Sequence, residues 1–279
     1  MLLFVEQKFI SYKSSQISYC HFGLGPKQVV CFHGYGEEAT LFGFLEKYIV
    51  NQYTFYSIDL PFHGKTVWNE GLTFTDADLK LIVEKIIAEN GRQLQTSNLK
   101  LSLIGFSLGG RVALSFFQAN PEKVEKLILL APDGLKVNFW YWLATQTSIG
   151  NNFFAFTLKH PGWFFSFLNL LNKLKWVNAS IFKFANYYIG DATVRNLLYN
   201  RWTTLRKLKP HLPLIRSLIR KKNIPVRLMY GQYDRIILSS VGDKFKKGIE
   251  EQCTVSIIQS GHQLLNKKYA IEIVQRLID

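Results

Sequence analysis

The chain has 279 residues, 48% of them hydrophobic, which suffices for one full core domain plus an insertion. Its formal net charge is +14, and its three cysteines, an odd number at spacings unlike a zinc site, argue against a disulfide framework or a structural metal. No run is long enough to span a bilayer, Gly162 to Leu171 being the nearest, and Met1 to Ile10 lacks the apolar stretch of a signal peptide, so the composition predicts a cytoplasmic protein.

Phe9 to Tyr12 and Gln16 to Tyr19 alternate in polarity around Lys13-Ser14-Ser15, the pattern of an edge hairpin. Gln28 to Phe32 reads as a buried strand, Leu41 to Val50 as a helix and Thr54 to Leu60 as a strand. Asp76 to Asn90 is an amphipathic helical pattern, with Asp76 as cap and Gly91 as stop. Leu99 to Ile104 is an apolar strand that runs into Gly105-Phe106-Ser107-Leu108-Gly109, and a helical pattern follows from Arg111 to Gln118. Val124 to Leu130 is the next strand, ending at Ala131-Pro132-Asp133-Gly134. The alternation stops at Leu135 and resumes at Val226, in a strand that leads to Gly231-Gln232-Tyr233-Asp234. A helix over Ser239 to Glu250, a strand over Thr254 to Ile258 and a last helix over Gln263 to Ile278 complete the chain. Strands alternating with helices predict an α/β protein with a mostly parallel sheet and helices on both faces.

The Gly-x-Ser-x-Gly turn is the feature with the most chemistry in it. A sharp strand-to-helix turn holds a serine hydroxyl clear of the backbone, and the helix behind it favours negative charge developing in front. A serine alone is a weak nucleophile and needs a base and a group that orients the base. His262, just past the strand Thr254 to Ile258, is the expected base. Asp234 is the expected orienter, with Asp133 as the rival acid. The chain order serine, acid, histidine matches one known arrangement of this triad.

These motifs resemble the α/β-hydrolase superfamily. The resemblance rests on Val29-Val30-Cys31-Phe32-His33-Gly34-Tyr35-Gly36, Asp59-Leu60-Pro61-Phe62-His63-Gly64, the Ser107 turn with Gly110, Gly231 to Asp234, and Gly261-His262. Phe62 departs from it, standing where relatives usually carry a small residue. The resemblance implies a serine hydrolase with Ser107, Asp234 and His262 as triad and the backbone N–H groups of Tyr35 and Leu108 as oxyanion hole. His33 and His63 are expected to tie loops near the site. The core would comprise residues 1–134 and 223–279, and residues 135–222 would be the helical cap that many relatives insert.

Charge and aromatics single out that inserted segment. Leu135 to Lys222 carries nine Lys and five Arg against one acid, Asp191, together with 18 of the 41 aromatic residues. That bias has two readings: the aromatics line an apolar acyl channel and the basic face meets an anionic membrane surface, or the aromatics pack the helical layer onto the sheet and the charges keep it soluble; an apolar ester or thioester substrate is expected. Charge alone would also admit nucleic acid, but no nucleic-acid motif accompanies it. Phe106, Arg111 and Trp140 are the expected substrate contacts, and neither metal nor organic cofactor is called for. Two other functions compete. Gly105 to Arg111 is similar to the same stretch in SHCHC synthase, where an arginine binds substrate carboxylate, which would make the chain a carboxylate-eliminating lyase. A non-catalytic binding protein that keeps the fold is the third reading.

Overall fold

In the computed structural model of the protein, residues 5–49, 51–91, 99–136, 139–174 and 186–279 are described. They form two compact units, one of residues 1–70, 74–136 and 207–279, the other of residues 71–73 and 137–206.

The first unit is built on an eight-stranded sheet. Its strands are β1 (Glu6–Tyr12), β2 (Ser15–Phe22), β3 (Lys27–Phe32), β4 (Tyr53–Ile58), β5 (Leu101–Phe106), β6 (Val124–Leu130), β7 (Val226–Gly231) and β8 (Cys253–Ile258). Their spatial order is β1-β2-β4-β3-β5-β6-β7-β8. The hairpin β1–β2 turns on Lys13-Ser14 and pairs antiparallel with β4, and every later pairing is parallel. β4, β5 and nearly all of β3 are buried, as parallel strands covered on both faces must be.

The chain leaves β3 toward β4 and returns past it to β5 on the other side. The crossovers on either side of β3 therefore lie on opposite faces, and a crevice opens at the carboxyl ends of β3 and β5. This reversal decides where a site can be built.

Several local outcomes differ from the sequence pattern. Residues 39–49 form a 3-10 turn, Ala39–Leu45, before one turn of α-helix, Glu46–Ile49. Thr75, rather than Asp76, caps the helix Asp76–Glu89: its hydroxyl accepts the Asp78 N–H, and the Asp78 carboxylate accepts the Thr75 N–H at 2.9 Å. That reciprocal pair satisfies two donors that a helix start leaves open. The last helix begins only at Ala270, because Asn266 directs its side chain at the Lys268 N–H and starts a short turn there. All three cysteines are buried and free, and burial pushes the Cys20 and Cys253 thiols up to about 12.

The helix Leu212–Lys222 packs beside the helix Leu108–Ala119 in the first unit, burying Ile215 and Ile219. Lys222 pairs with Glu122, and the Gln118 side chain accepts the His211 N–H at 2.6 Å. The second unit consequently ends at Arg206 rather than at the expected 222. It contains the helices Phe139–Gln146, Ser148–Lys159, Pro161–Lys173 and Ala192–Thr204. Asn151 is buried within it and donates to the Ala144 carbonyl, while Trp202 packs its ring on Tyr141 and Phe154.

Candidate active site

Ser107 sits between β5 and the helix Leu108–Ala119 with φ 50° and ψ −115°. This is a left-handed conformation that a side chain adopts only when the surroundings impose it. The surroundings are the end of β6: the Ser107 N–H donates to the Leu130 carbonyl at 2.9 Å, and the Ser107 carbonyl accepts the Asp133 N–H at 2.8 Å. Two glycines make room. A Cβ at Gly109 would overlap the Phe32 carbonyl, and one at Gly105 would press on the Gly109 carbonyl. The motif is thus explained by close backbone approach between β3, β5 and the helix.

Asp234 and His262 arrive from the ends of β7 and β8. The two loops are joined by the main chain: the Gln232 N–H donates to Ile258 and the Tyr233 N–H to Ser260. Asp234 is 4% exposed, and its Oδ1 accepts the N–H groups of Ile236 and Ile237 at 2.7 and 3.0 Å. Its Oδ2 accepts the Nδ1–H of His262 at 2.8 Å. A carboxylate can only accept, so the imidazole proton sits on Nδ1 and Nε2 is left as the acceptor. Nε2 lies 3.0 Å from Ser107 Oγ, whose hydroxyl donates to it. Three side chains separated by 155 and 28 positions form one donor–acceptor line.

A profile of the serine aminopeptidase S33 family matches residues 26–268. The chain belongs to this family of α/β-hydrolases. Among relatives of this S33 hydrolase, the uncharacterized hydrolase YugF of Bacillus subtilis is 23% identical over 245 residues, covering 85% of this chain and 84% of YugF. A pimeloyl-[acyl-carrier protein] methyl ester esterase of Wigglesworthia glossinidia brevipalpis is 25% identical over 223 residues, covering 77% of this chain and 78% of its own. An esterase structure from Thermogutta terrifontis superposes with a TM-score of 0.66 at 15% identity over 98% of both chains, a likeness of fold. The S33 chain is an enzyme of the hydrolase class.

The expected oxyanion donors lie on two different elements. Leu108 opens its helix, so its N–H is one of those an α-helix leaves without an internal acceptor. Tyr35 follows β3, and its N–H belongs to the peptide unit that carries the Gly34 carbonyl. That carbonyl is held at 2.8 Å by His33 Nδ1–H, while His33 Nε2 accepts the Leu60 N–H at 3.1 Å. His63 donates from Nδ1 to the Pro61 carbonyl at 2.9 Å and meets the Tyr35 ring edge-on. Both histidines therefore act as ties between loops.

The expected substrate contacts are distributed differently. Phe106 is 1% exposed, and its ring centroid lies 5.4 Å from that of His262, so it packs against the imidazole. Arg111 is buried with Nε 3.2 Å from Asp133 Oδ2. That pairing gives the rival acid a different partner, and a substrate carboxylate would have to compete with Asp133 for the guanidinium. Trp140 belongs to the helix Phe139–Gln146 in the second unit, and its side chain lies outside the described residues. Phe62 takes φ 62°, a left-handed conformation that favours glycine. Sequence reasoning passed over Glu37 and Gln263, which meet at 2.8 Å beside the triad. The signal was the turn composition Gly34-Tyr35-Gly36-Glu37, which places an acid at the closing position of a turn.

Proposed function

We propose that this S33-family enzyme is a cytoplasmic serine hydrolase that cleaves a carboxylic ester or thioester with an apolar acyl group through an acyl-enzyme. The observation that carries the reading is the line Asp234–His262–Ser107, with contacts of 2.8 and 3.0 Å. In the proposed reaction Ser107 Oγ attacks the carbonyl carbon while its proton passes to His262 Nε2. Asp234 stabilises the imidazolium so formed, and the N–H groups of Leu108 and Tyr35 receive the oxyanion. His262 then gives its proton to the departing oxygen or sulfur. A water, deprotonated by His262, attacks the acyl carbonyl, and the proton returns to Ser107 as the carboxylic acid leaves.

The name of the Wigglesworthia relative supports ester cleavage as the reaction class. Hydrolysis of 4-nitrophenyl esters of increasing chain length tests the apolar acyl group. Octanoate is expected to exceed acetate in kcat/KM by about tenfold or more, since each buried methylene contributes about 0.8 kcal/mol. A preference for acetate would remove the apolar-acyl part of the reading.

The second unit supplies the proposed membrane contact. Ile149, Phe153 and Phe156 recur at helical spacing along Ser148–Lys159 and are exposed, as are Trp163, Phe167 and Leu170 along Pro161–Lys173. Phe153 and Trp163 join the two stripes at 5.3 Å. From Gly134 to Gly190 the sequence contains neither Asp nor Glu. Among the described residues no helix is long and apolar enough to cross a membrane, so the proposed contact is peripheral. Lysines near an anionic leaflet each add about 1 kcal/mol of attraction, which salt screens. Co-sedimentation with vesicles rich in anionic phospholipid is expected, weakening for zwitterionic vesicles, at high salt and in Phe153→Asp. Equal recovery in the supernatant with and without anionic vesicles would remove the contact.

A further inference from the structure

Glu37 closes a β-turn that begins at Gly34: the Glu37 N–H donates to the Gly34 carbonyl at 3.3 Å, with Gly36 at φ 77° in the third position. Its side chain folds back on the same turn. Glu37 Oε2 accepts the Gly34 N–H at 3.0 Å, and Oε1 accepts Gln263 Nε2–H at 2.8 Å. Gln263 is the residue after His262 and also donates to the Leu265 carbonyl at 3.4 Å. One carboxylate therefore ties the turn after β3 to the loop after β8.

The geometry matters because of what each loop carries. In a trans peptide the N–H points opposite to the preceding carbonyl. Fixing the Gly34 carbonyl therefore fixes the direction of the Tyr35 N–H. Two donors hold that carbonyl, His33 Nδ1–H and the Glu37 main chain, while the Glu37 carboxylate holds the N–H on the other side of Gly34. The other loop carries the base. We propose that Glu37 is a positioning residue, which locks the Tyr35 N–H and the imidazole of His262 into one frame through Gly34 and Gln263. The inference rests on the serine-hydrolase reading above and names a residue which that reading does not use.

Glu37 has an electrostatic side as well. Burial raises its carboxyl above the usual range, and the bonds from Gln263 and Gly34 and the nearby His262 work against that rise. The ionisable groups gathered around it are His262, with Asp234 behind the imidazole, and His33 and His63 packed against the turn. A carboxylate at this place favours the imidazolium that forms during the reaction. Removing its charge withdraws that support from the charged intermediate, which the pH profile of the reaction reads.

The test measures kcat, KM and the pH dependence of kcat/KM with 4-nitrophenyl octanoate for Glu37→Ala, Glu37→Gln and Ser107→Ala. Glu37→Ala is expected to lower kcat about 10- to 100-fold, part of what a whole oxyanion donor supplies, with KM changing far less. Glu37→Gln keeps one acceptor oxygen and should recover part of the loss, while the acidic limb of its profile moves to lower pH. An unchanged kcat in Glu37→Ala overturns the proposal. So does an acidic limb in Glu37→Gln that coincides with wild type, or a kcat loss matched by an equal loss of sites that react with a fluorophosphonate. Full activity in Ser107→Ala would instead overturn the hydrolase reading itself.

Discussion

Ser107→Ala is expected to slow ester hydrolysis by about a million-fold in kcat while leaving the fold intact. In the proposed mechanism the hydroxyl forms the acyl intermediate, and His262 Nε2, 3.0 Å away, is assigned the base's part and does not replace it. Alanine keeps the Cβ, so it adopts φ 50° at about the same conformational cost as serine. The main-chain bonds to Leu130 and Asp133 do not involve the side chain and persist. The loss should therefore fall on kcat, with thermal stability close to wild type and residual turnover from the oxyanion donors alone. The measurement is steady-state hydrolysis of 4-nitrophenyl octanoate beside a thermal melt. Turnover within tenfold of wild type would take Ser107 out of the mechanism.

Asp234→Asn is expected to lower kcat by about 10^4-fold. The carbonyl oxygen of the amide can still accept the N–H groups of Ile236 and Ile237, so the loop should keep its shape. The amide nitrogen then faces His262 Nδ1 and donates to it. That reverses the tautomer: the proton moves to Nε2, which can no longer accept from Ser107. The control is Asp133→Asn. Asp133 pairs with Arg111, so its loss should lower the melting temperature by removing that largely buried ion pair and spare most of kcat. The opposite ranking, with Asp133→Asn the more damaging to kcat, would reassign the acid.

The sequence made the parallel core legible because its strands are buried on both faces and read as unbroken apolar runs: Leu101 to Phe106 and Val124 to Leu130 leave little else to consider. The candidate triad could be picked out because its members follow such runs directly. What could not be read was pairing among polar side chains. Asp133 and Asp234 both follow strands, and only their partners, Arg111 and His262, separate them. Thr75 and Asp76 are both acceptable caps, and the choice turned on Asp78 reaching back to the Thr75 N–H. The helix Leu212–Lys222 shares the basic composition of the insertion, yet Ile215 and Ile219 are buried in the first unit. Composition reports what a helix is made of; its location depends on which face finds an apolar partner. Glu37 stayed hidden for a related reason, since its role depends on Gln263, 226 positions away.

The Ser107 N–H is spent on the last residue of β6, and its carbonyl on the N–H groups of Asp133, in the loop after β6, and of Gly110. The nucleophile accordingly owns no backbone freedom separate from the sheet. Any mobility the catalytic cycle requires is confined to rotation of its side chain and to segments that do not share those bonds. The backbone beneath the hydroxyl is thus tied to the sheet, while the oxygen itself keeps its rotation about the side-chain bond.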